Sequence, residues 1–336
     1  MRVLFNTYPW AFDTPGGGEQ QLLKYAEHLP AHGIEVAFHD SWKPAFDQVD
    51  VVHFFSCIGG SVHFCQYVHG RGLPLVISSS LWITDETSRD YPVDEIRSQL
   101  GLADVVVTNS KSESEMLSRV LTLPLEKFMP VMNGMDTRFG ASSKGSVFTS
   151  QFGIETPFVL NVGNIEPRKN QLRLIQATQE DGLPVVIIGH VRDAAYADAV
   201  FGEGGSRVSY LGAFAHDDPL LACAYAACSV FALPSTLETP GLAALEAAAA
   251  GAPLVVTSEG STRDYFGEFA HYVRHSDVWD IRNGVRAAMA NGSDSRLKEH
   301  VLANFAWPVT TASLKHVYST ASARRDDRRA ATRRRN

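Results

Sequence analysis

The chain alternates short runs of apolar residues with stretches in which apolar residues recur every three or four positions. The apolar runs of the first half predict strands at 2–6, 34–40, 50–55, 73–80 and 103–110. After the first run, Leu22, Ala26 and Leu29 fall at helical spacing, and Gly33 is a typical helix stop. Strands that alternate with helices in this way predict an α/β fold, in which helices cover both faces of a parallel sheet.

The alternation breaks at 137–153, where Gly and Ser are frequent and periodic apolar residues are few. It then resumes, with predicted strands at 157–164, 183–190, 208–213, 229–235 and 253–258 and predicted helices at 170–179, 218–228 and 242–251. Two such arrays in 336 residues predict two domains. The predicted segments are an N-terminal domain 1–140, a linker 141–152, a C-terminal domain 153–304, a final amphipathic helix 305–322 and an Arg-rich tail 323–336.

Composition narrows the class of protein. The net charge of -7 argues against a dedicated nucleic-acid binder, and no apolar run reaches the roughly 18–20 residues that a membrane span needs. The first ten residues are typical of a first strand and not of a signal peptide. Four cysteines in a chain of this length do not form a disulfide framework, so we expect a protein of the reducing cytoplasm.

Ligands of open parallel sheets bind beyond the carboxyl ends of the strands, where loops lead into helices. The loop "DTPGGGE", residues 13–19, follows the first predicted strand. Gly17 and Gly18 would let the backbone approach a ligand closely, and the amides of a helix N-terminus suit a phosphate or sugar oxygen. The spacing is not that of a dinucleotide-binding loop, and a simple flexible turn is the alternative interpretation.

A second loop, "NVGNIEPRKNQ" at 161–171, carries two cations just before a predicted helix. Arg168 and Lys169 are unfavourable for the helix itself, because the N-terminal end of a helix is already positive. A bound anion such as a pyrophosphate would compensate both charges, with Gly163 turning the chain after the strand. Two solvated charges on a loop are the alternative.

A third loop and helix, "LETPGLAALEAAAAG" at 237–251, contain two glutamates. Glu238 lies in the loop, Gly241 permits close approach of the backbone, and Glu246 lies among alanines in the first turns of the helix. Burying an unpaired carboxylate is costly, so Glu246 either faces solvent or has partners. A ribose diol is one suitable partner, because a carboxylate can accept hydrogen bonds from both hydroxyls.

Two further clusters contain residues of the types that bind metals. Cys57, His63, Cys65 and His69 lie close in sequence, but their spacing matches no zinc pattern, so core packing is the favoured interpretation. The stretch "HDDP" that begins at 216 predicts a helix start with acids in the first turn.

These loops together resemble those of the retaining glycosyltransferases of family 4 (group 1), which have the GT-B fold. The resemblance covers 155–310 through "VGNIEPRKNQ", the Glu-x7-Glu element and the segments around it. Over 1–140 it is looser, through "GGGE", "DVVHF", "ADVVVTNS" and "PVMNGMD". It implies two Rossmann-like domains that face an interdomain cleft, with the acceptor on the N-terminal side and a nucleotide-diphosphate sugar on the C-terminal side.

The resemblance also implies roles for individual residues. Glu246 would bind the ribose, Glu238 would lie near the donor sugar, and Lys169 with Arg168 would neutralise the diphosphate leaving group. The implied donor-binding residues are Gly17, Gly18, Gly163, Asn164, Ala213, Phe214, Thr239, Gly241, Leu242 and Glu246. The implied reaction moves a hexose to a glycan or lipid-linked acceptor with retention of configuration, and it needs no metal or other cofactor.

Three positions depart from the pattern of the relatives. Asn164 stands where many of them have arginine, and Thr239-Pro240 stands where they usually have Gly-Phe, so that Pro240 offers no N–H donor. Ser78–Ser80 stand where many have a histidine. These departures leave sugar specificity open, and they leave two alternatives: a non-hydrolysing sugar-nucleotide epimerase, or a non-catalytic protein that binds nucleotides or carbohydrates.

The resemblance further implies a cytoplasmic role in making cell-surface polysaccharides. The tail 323–336 contains seven arginines and is expected to be disordered. It is either a solubilising tail or a source of weak attraction to anionic lipid at the inner face of the membrane. We expect no nucleic-acid partner, and the resemblance implies a UDP- or GDP-linked hexose as the donor.

Overall fold

A computed structural model describes residues 1–13, 16–141, 143–154 and 157–335. The chain divides into two compact units. The first unit combines Met1–Gly134 with the C-terminal segment from Trp307, and the second unit is the continuous segment Met135–Ala306. Each unit contains, within the described residues, one six-stranded sheet whose strand pairs are all parallel.

The first unit has the sheet order β2-β1-β3-β4-β5-β6. Its strands are β1 Arg2–Thr7, β2 Glu35–Phe38, β3 Val51–Phe55, β4 Leu75–Ser78, β5 Val105–Thr108 and β6 Phe128–Pro130. Its helices are α1 Gly17–His28, α2 Val62–Arg71, α3 Val93–Leu102, α4 Lys111–Leu121 and α13 Trp307–Arg335. Strands β3, β4 and β5 are buried along their whole length, as expected of strands with helices on both faces.

The second unit has the sheet order β12-β11-β10-β7-β8-β9. Its strands are β7 Val159–Val162, β8 Val185–Ile188, β9 Val208–Tyr210, β10 Val230–Leu233, β11 Leu254–Thr257 and β12 His271–Val273. Its helices are α5 Gly145–Phe152, α6 Gln171–Gln179, α7 Ala194–Gly204, α8 Pro219–Ala227, α9 Leu242–Ala250, α10 Thr262–Phe266, α11 Val278–Asn291 and α12 Ser295–Asn304. The parallel α/β architecture predicted from the apolar runs is therefore confirmed in both units.

The predicted linker 141–152 is wrong, because most of it forms α5 inside the second unit. Phe148 is fully buried, and its ring lies 5.1 Å from that of Phe152 and 6.2 Å from that of Phe158. Two aromatic residues four positions apart anchor one face of a short helix. The Gly- and Ser-rich composition around them concealed that spacing.

The prediction of a disordered tail at 323–336 is also wrong for the residues that the structure describes. Helix α13 continues to Arg335 and belongs to the first unit. Arg328 lies 2.5 Å from the buried carboxylate of Asp104, and Arg324 donates to the backbone oxygens of Asp104 and Glu126 at 3.0 and 2.7 Å. These arginines therefore pack against the segments that precede β5 and β6, which a count of charges could not reveal.

The strands β6 and β12, each of three residues at the edge of its sheet, were not predicted. None of the described helices combines the length and the apolar character that crossing a membrane requires.

Candidate active site

The strand order of the second unit reverses at one defined position. From β7 the chain adds β8 and β9 on one side of the sheet, and then returns to place β10 on the other side. Ligands of open α/β sheets bind at such a reversal, beyond the carboxyl ends of the two strands. The loops in question are 163–170 after β7 and 234–241 after β10, and they carry the cations and the first glutamate singled out from the sequence.

A buried ion pair joins these two loops. Lys169 Nζ lies 2.5 Å from Glu238 Oε1, and the hydroxyl of Ser235 donates to the same oxygen at 2.6 Å. Glu238 is only 6% exposed, whereas Arg168, at 3.8 Å from that oxygen, is half exposed. Burial alone would raise the pKa of Glu238, but Lys169 and Arg168 outweigh it and hold the pKa below the usual value. Glu238 is therefore a carboxylate at neutral pH.

The backbone around Glu238 is fixed by the loop after β11. Glu238 N–H donates to the oxygen of Glu259 at 3.3 Å, and Ser261 N–H donates to the oxygen of Glu238 at 3.0 Å. Gly260, between them, has φ 94°, and a Cβ there would overlap the carbonyl of Glu238. Only glycine allows this close approach, so Gly260 is a positioning residue for Glu238.

Gly241, at the start of α9, likewise allows a close approach that a larger residue would prevent. Its φ is 84°, and a Cβ would come within 2.8 Å of Leu233 and 3.2 Å of Glu238 Oε2. Thr239 and Leu242, on either side of it, are half-buried. The chain can therefore turn tightly from the Glu238 loop into the helix that carries the second glutamate.

Glu246 has partners and does not face solvent, which decides the alternative left open by the sequence. It is 5% exposed, and its two oxygens contact His216 Nε2 and the hydroxyl of Tyr225, each at 2.8 Å. The ring of Phe139 lies 5.7 Å from both partner rings. Burial raises the pKa of Tyr225 well above its ordinary value, and the carboxylate of Glu246 adds to the effect. Tyr225 is therefore a hydrogen-bond donor to Glu246.

Sequence reasoning missed three of these groups. His216 lies in "HDDP", which correctly predicted the start of α8 with Asp218 as its cap, accepting from Leu220 N–H at 2.8 Å. The histidine two residues earlier carried no signal of its own. From the sequence, Tyr225 was indistinguishable from the other apolar positions of α8, and Ser235 only marked the end of a predicted strand.

The remaining predicted residues of the second unit lie near β7, β8 and β9. Gly163 and Asn164 follow β7, and Gly163 N–H donates to Ile188 O at 2.9 Å. Ala213 is exposed after β9, while Phe214 is half-buried and stacks on Phe152 with centroids 5.9 Å apart. Their role in holding a nucleotide stays a prediction.

Two predicted residues belong to the first unit. Gly17 and Gly18 form the first turn of α1, directly after Gly16, whose N–H is bonded to the side chain of Glu19 at 2.7 Å. The two preceding residues of this loop, 14 and 15, lie outside the described residues. The predicted contact of the glycines with a diphosphate stays a prediction.

The cysteine and histidine cluster contributes to the core of the first unit. Cys57 and Cys65 are buried, and burial raises the pKa of the Cys65 thiol to about 12. His69 Nδ1 lies 2.9 Å from Leu102 O. Core packing, the interpretation favoured from the sequence, is confirmed for the two cysteines, whereas His63 is exposed and lies 3.3 Å from Gln66 Oε1.

Comparison with known proteins adds a family relationship for the second unit. Residues 148–300 match the family model of group 1 glycosyl transferases. The serotype-specific mannosyltransferase WbdA of Escherichia coli is 25% identical over 258 residues, which are 71% of this chain but 31% of that protein. The D-inositol 3-phosphate glycosyltransferase of Mycobacteroides abscessus is 26% identical over 235 residues, 66% of this chain and 53% of that protein. The chain thus spans about a third of the first relative's length and about half of the second's.

Solved structures match almost the whole chain. A sucrose-phosphate synthase from Thermosynechococcus elongatus has a TM-score of 0.76 at 18% identity and covers 96% of this chain and 99% of its own. Anabaena HepE in complex with UDP has a TM-score of 0.76 at 19% identity, with coverages of 95% and 100%. These matches confirm the two-domain GT-B fold predicted from the sequence. The segment 148–300 is accordingly similar to group 1 glycosyl transferases in sequence, within a chain that has the GT-B fold.

Proposed function

We propose that this protein transfers a hexose from a nucleotide-diphosphate sugar to a hydroxyl group of a glycan or lipid-linked acceptor, with retention of configuration and without a metal. One observation carries the proposal. The buried ion pair of Lys169 and Glu238 lies at the reversal of strand order, inside the segment that matches group 1 glycosyl transferases.

Lys169 and Arg168 are the proposed partners of the diphosphate. In glycosyl transfer the bond between the anomeric carbon and the diphosphate oxygen breaks, so negative charge develops on that oxygen. A cation already fixed beside it lowers the barrier, because no reorganisation is needed at the moment of reaction. Lys169 is held by Glu238 before any ligand arrives, and Arg168 adds a second positive charge at the same loop. These groups would supply the charge that a metal supplies elsewhere.

Glu238 is the proposed partner of the donor sugar. Because its pKa is held low, it stays a carboxylate and is suited to accept hydrogen bonds from sugar hydroxyls and to stabilise positive charge at the anomeric carbon. We propose that the acceptor oxygen attacks from the face that the diphosphate leaves. Its proton passes to the departing diphosphate oxygen, so no protein nucleophile is required and the configuration is retained.

Glu246 is the proposed partner of the ribose. An ionised carboxylate offers about four acceptor positions. His216 and Tyr225 occupy one position on each oxygen, which leaves room for two ribose hydroxyls. The two contacts also fix the rotamer of Glu246 before the nucleotide binds, which reduces the entropy lost on binding.

The remaining groups near these loops complete the proposed donor site. They are Gly163, Asn164, Ala213, Phe214, Thr239, Gly241 and Leu242, whose backbone would contact the base, the phosphates or the sugar. The relatives do not single out one sugar, since their names specify mannosyl transfer and transfer to inositol 3-phosphate, and HepE is seen with UDP and with UDP-glucose. We propose a UDP- or GDP-linked hexose as the donor class.

The test is calorimetric titration of the full chain with a panel of nucleoside diphosphates and their sugars. We expect one nucleotide to bind, and Lys169→Ala and Glu246→Gln each to weaken it by about 1.5–3 kcal/mol, the scale of one charge-assisted hydrogen bond. The matched controls Lys144→Ala and Glu268→Gln alter exposed residues and should bind as the wild type does.

Four results would contradict the proposal. If no nucleotide binds, or if both site variants bind as well as the controls, the segment has kept the fold of a glycosyltransferase without its donor site. If a nucleotide sugar binds but is never consumed in the presence of an acceptor panel, the protein is a binding protein. Conversion of the nucleotide sugar without any acceptor would identify an epimerase.

A further inference from the structure

A group of cations lies at the amino ends of strands in the first unit. It consists of Arg324, Arg325, Arg328 and Arg329 of α13 and of Lys127, which immediately precedes β6. We call these five residues the α13 cluster. Ligands of open parallel sheets bind at the opposite, carboxyl ends of the strands. The charges of the cluster therefore need an explanation other than the proposed donor chemistry.

Three members of the cluster have partners in the fold. Arg328 lies 2.5 Å from the carboxylate of Asp104, and Arg324 donates to two backbone oxygens at 3.0 and 2.7 Å. Lys127 Nζ donates to two further backbone oxygens at 2.8 and 2.5 Å. Burial lowers the pKa of Lys127 to about 8, and the charges of Arg328 and Arg324 add to the effect, although Asp104 opposes it. The cations are thus close enough to repel one another.

Arg325 differs from these three, because it is buried without a partner. It is 7% exposed, and within the part of the chain that the structure describes it has neither a hydrogen bond nor an ion pair. A Cβ added to Gly72 would overlap Arg325 Nη2 and would lie 2.9 Å from Arg329 Nη2. Both guanidinium groups therefore reach the same point beside Gly72. Burial lowers the pKa of Arg325, and Arg329 and Arg328 lower it further.

The fold compensates this concentration of positive charge only in part. Gly72 is the C-cap of α2, and the C-terminal end of a helix carries about half an elementary negative charge. Asp104 and Asp326 favour the charged form of Arg325, but their effect on its pKa is weaker than that of the two neighbouring arginines. Burying an unpaired charge is costly. An anion beside Gly72 would remove that cost.

We propose that Arg325 and Arg329 bind a compact phosphate group of a small, soluble compound beside Gly72. A phosphate group carries about two negative charges at neutral pH and three acceptor oxygens. It therefore matches two guanidinium groups in charge, and their fork-like donors suit its oxygens. The bound phosphate would hold the C-terminal part of α13 on the first unit.

The same phosphate chemistry is found in the headgroups of anionic lipids, but the surroundings of the cluster favour a small ligand. Asp326 and Asp327 are exposed on α13, directly after Arg325. A flat anionic membrane would meet these carboxylates together with Arg329, whereas a compact ligand can contact the arginines alone. The proposal does not depend on the proposed glycosyl transfer, and either of the two can fail without the other.

The experiment measures the thermal midpoint of the first unit in the full chain by circular dichroism. The probes are inorganic phosphate and tripolyphosphate, each compared with sodium chloride at the same ionic strength. The test variants are Arg325→Met and Arg329→Met, and Arg329 is exposed, so that its replacement does not endanger folding. The controls are Arg89→Met, at an exposed position of the same unit, and Lys169→Ala, in the proposed donor loop.

We expect a phosphate at about 100 times its dissociation constant to raise the midpoint by about 5 °C. Arg325→Met and Arg329→Met should reduce the rise to that seen with sodium chloride, whereas Arg89→Met and Lys169→Ala should keep it. Without phosphate, Arg325→Met should be at least as stable as the wild type. This substitution removes an unpaired buried charge and keeps most of the aliphatic side chain.

The inference is overturned if phosphates raise the midpoint no more than sodium chloride does, or if Arg325→Met and Arg329→Met keep the rise. Loss of the rise in Lys169→Ala alone would place the phosphate at the donor loop and would also overturn it. Clear destabilisation by Arg325→Met without phosphate would show that the fold already compensates this charge. Sedimentation with vesicles of phosphatidylglycerol and phosphatidylcholine tests the other source of phosphate. Binding to these vesicles that Arg329→Met abolishes, without any effect of the soluble phosphates, would assign the cluster to a membrane surface and overturn the proposal.

Discussion

Replacing Lys169 with methionine should convert the ion pair of the second unit into a buried, poorly compensated carboxylate. Methionine keeps most of the aliphatic volume of lysine and removes its charge. Glu238 is 6% exposed, so water cannot replace the lost contact of 2.5 Å. Removing one partner of a buried pair costs about 3–5 kcal/mol. Ser235 at 2.6 Å and half-exposed Arg168 at 3.8 Å still compensate part of the charge, so we expect a loss at or just below the lower end of that scale, about 2–3 kcal/mol of unfolding free energy.

The pH dependence of that loss tests its cause. In the wild type the pKa of Glu238 is depressed, so its contribution to stability is present above the unfolded pKa and is lost as pH falls through the folded pKa. In Lys169→Met burial dominates and the pKa of Glu238 rises, so the penalty grows as pH rises. The difference between the two proteins should therefore be widest near pH 7 and should shrink toward about pH 4, where a glutamate is largely protonated.

The assay is urea unfolding of the full chain at both pH values, followed by circular dichroism. Arg168→Met is the control, because it removes a half-exposed charge at the longer distance and should cost less than about 1 kcal/mol. The double variant Lys169→Met, Glu238→Gln should recover part of the lost stability. A difference below about 0.5 kcal/mol at pH 7, or an equal difference at both pH values, would refute the reasoning.

Three further predictions test other parts of the structure. Gly260→Ala should destabilise the second unit by about 2 kcal/mol or more in urea unfolding, because the added Cβ would overlap the carbonyl of Glu238. The control Gly202→Ala lies in a helix with open space around it and should be neutral or stabilising. Equal effects of the two substitutions would contradict this prediction. Burial lowers the pKa of His53 to about 3, so as pH falls below about 6.5 this histidine is protonated in the unfolded chain but not in the folded one, and the free energy of unfolding decreases. His53→Gln should reduce this decrease by up to about 1.4 kcal/mol per pH unit. An unchanged dependence of the unfolding free energy on pH would argue against a neutral buried histidine. Deleting 323–336 should lower the thermal midpoint of the first unit, while an unchanged midpoint would support the original expectation of a disordered tail.

The sequence predicted the parts of the fold that repeat a strong local pattern. Buried parallel strands such as 51–55 and 105–108 are apolar except for one residue each, His53 and Thr108, and such runs identified the sheets without any tertiary information. The same rule placed Lys169 and Glu238 after strands, where their meeting could be anticipated. What the rule could not supply is the strand order, which makes β7 and β10 neighbours and so brings the two loops together.

Other features depend on contacts that no local pattern contains. His216 and Tyr225 lie 30 and 21 positions before Glu246, and only the packing of α8 beside α9 gives that carboxylate its partners. The tail was predicted to be disordered because the partner of its arginines, Asp104, lies 224 residues before Arg328 and is buried just before β5. A high density of like charges predicts disorder for a segment that is surrounded by water. The prediction fails when one side of the segment packs against the protein.

The second unit is one uninterrupted segment, whereas the first is assembled from both ends of the chain. Where the second unit begins and ends, its backbone is paired: Met135 N–H donates to Phe305 O at 2.8 Å, and Met135 is bridged to Ala306. During synthesis the second unit leaves the ribosome before α13, so it can complete its sheet while the first still lacks the helix whose Tyr318 contacts buried His53 at 2.9 Å. The first unit therefore begins to form before the second but is completed after it. A chain truncated within α13 would lack part of the first unit, whereas its second unit would be complete.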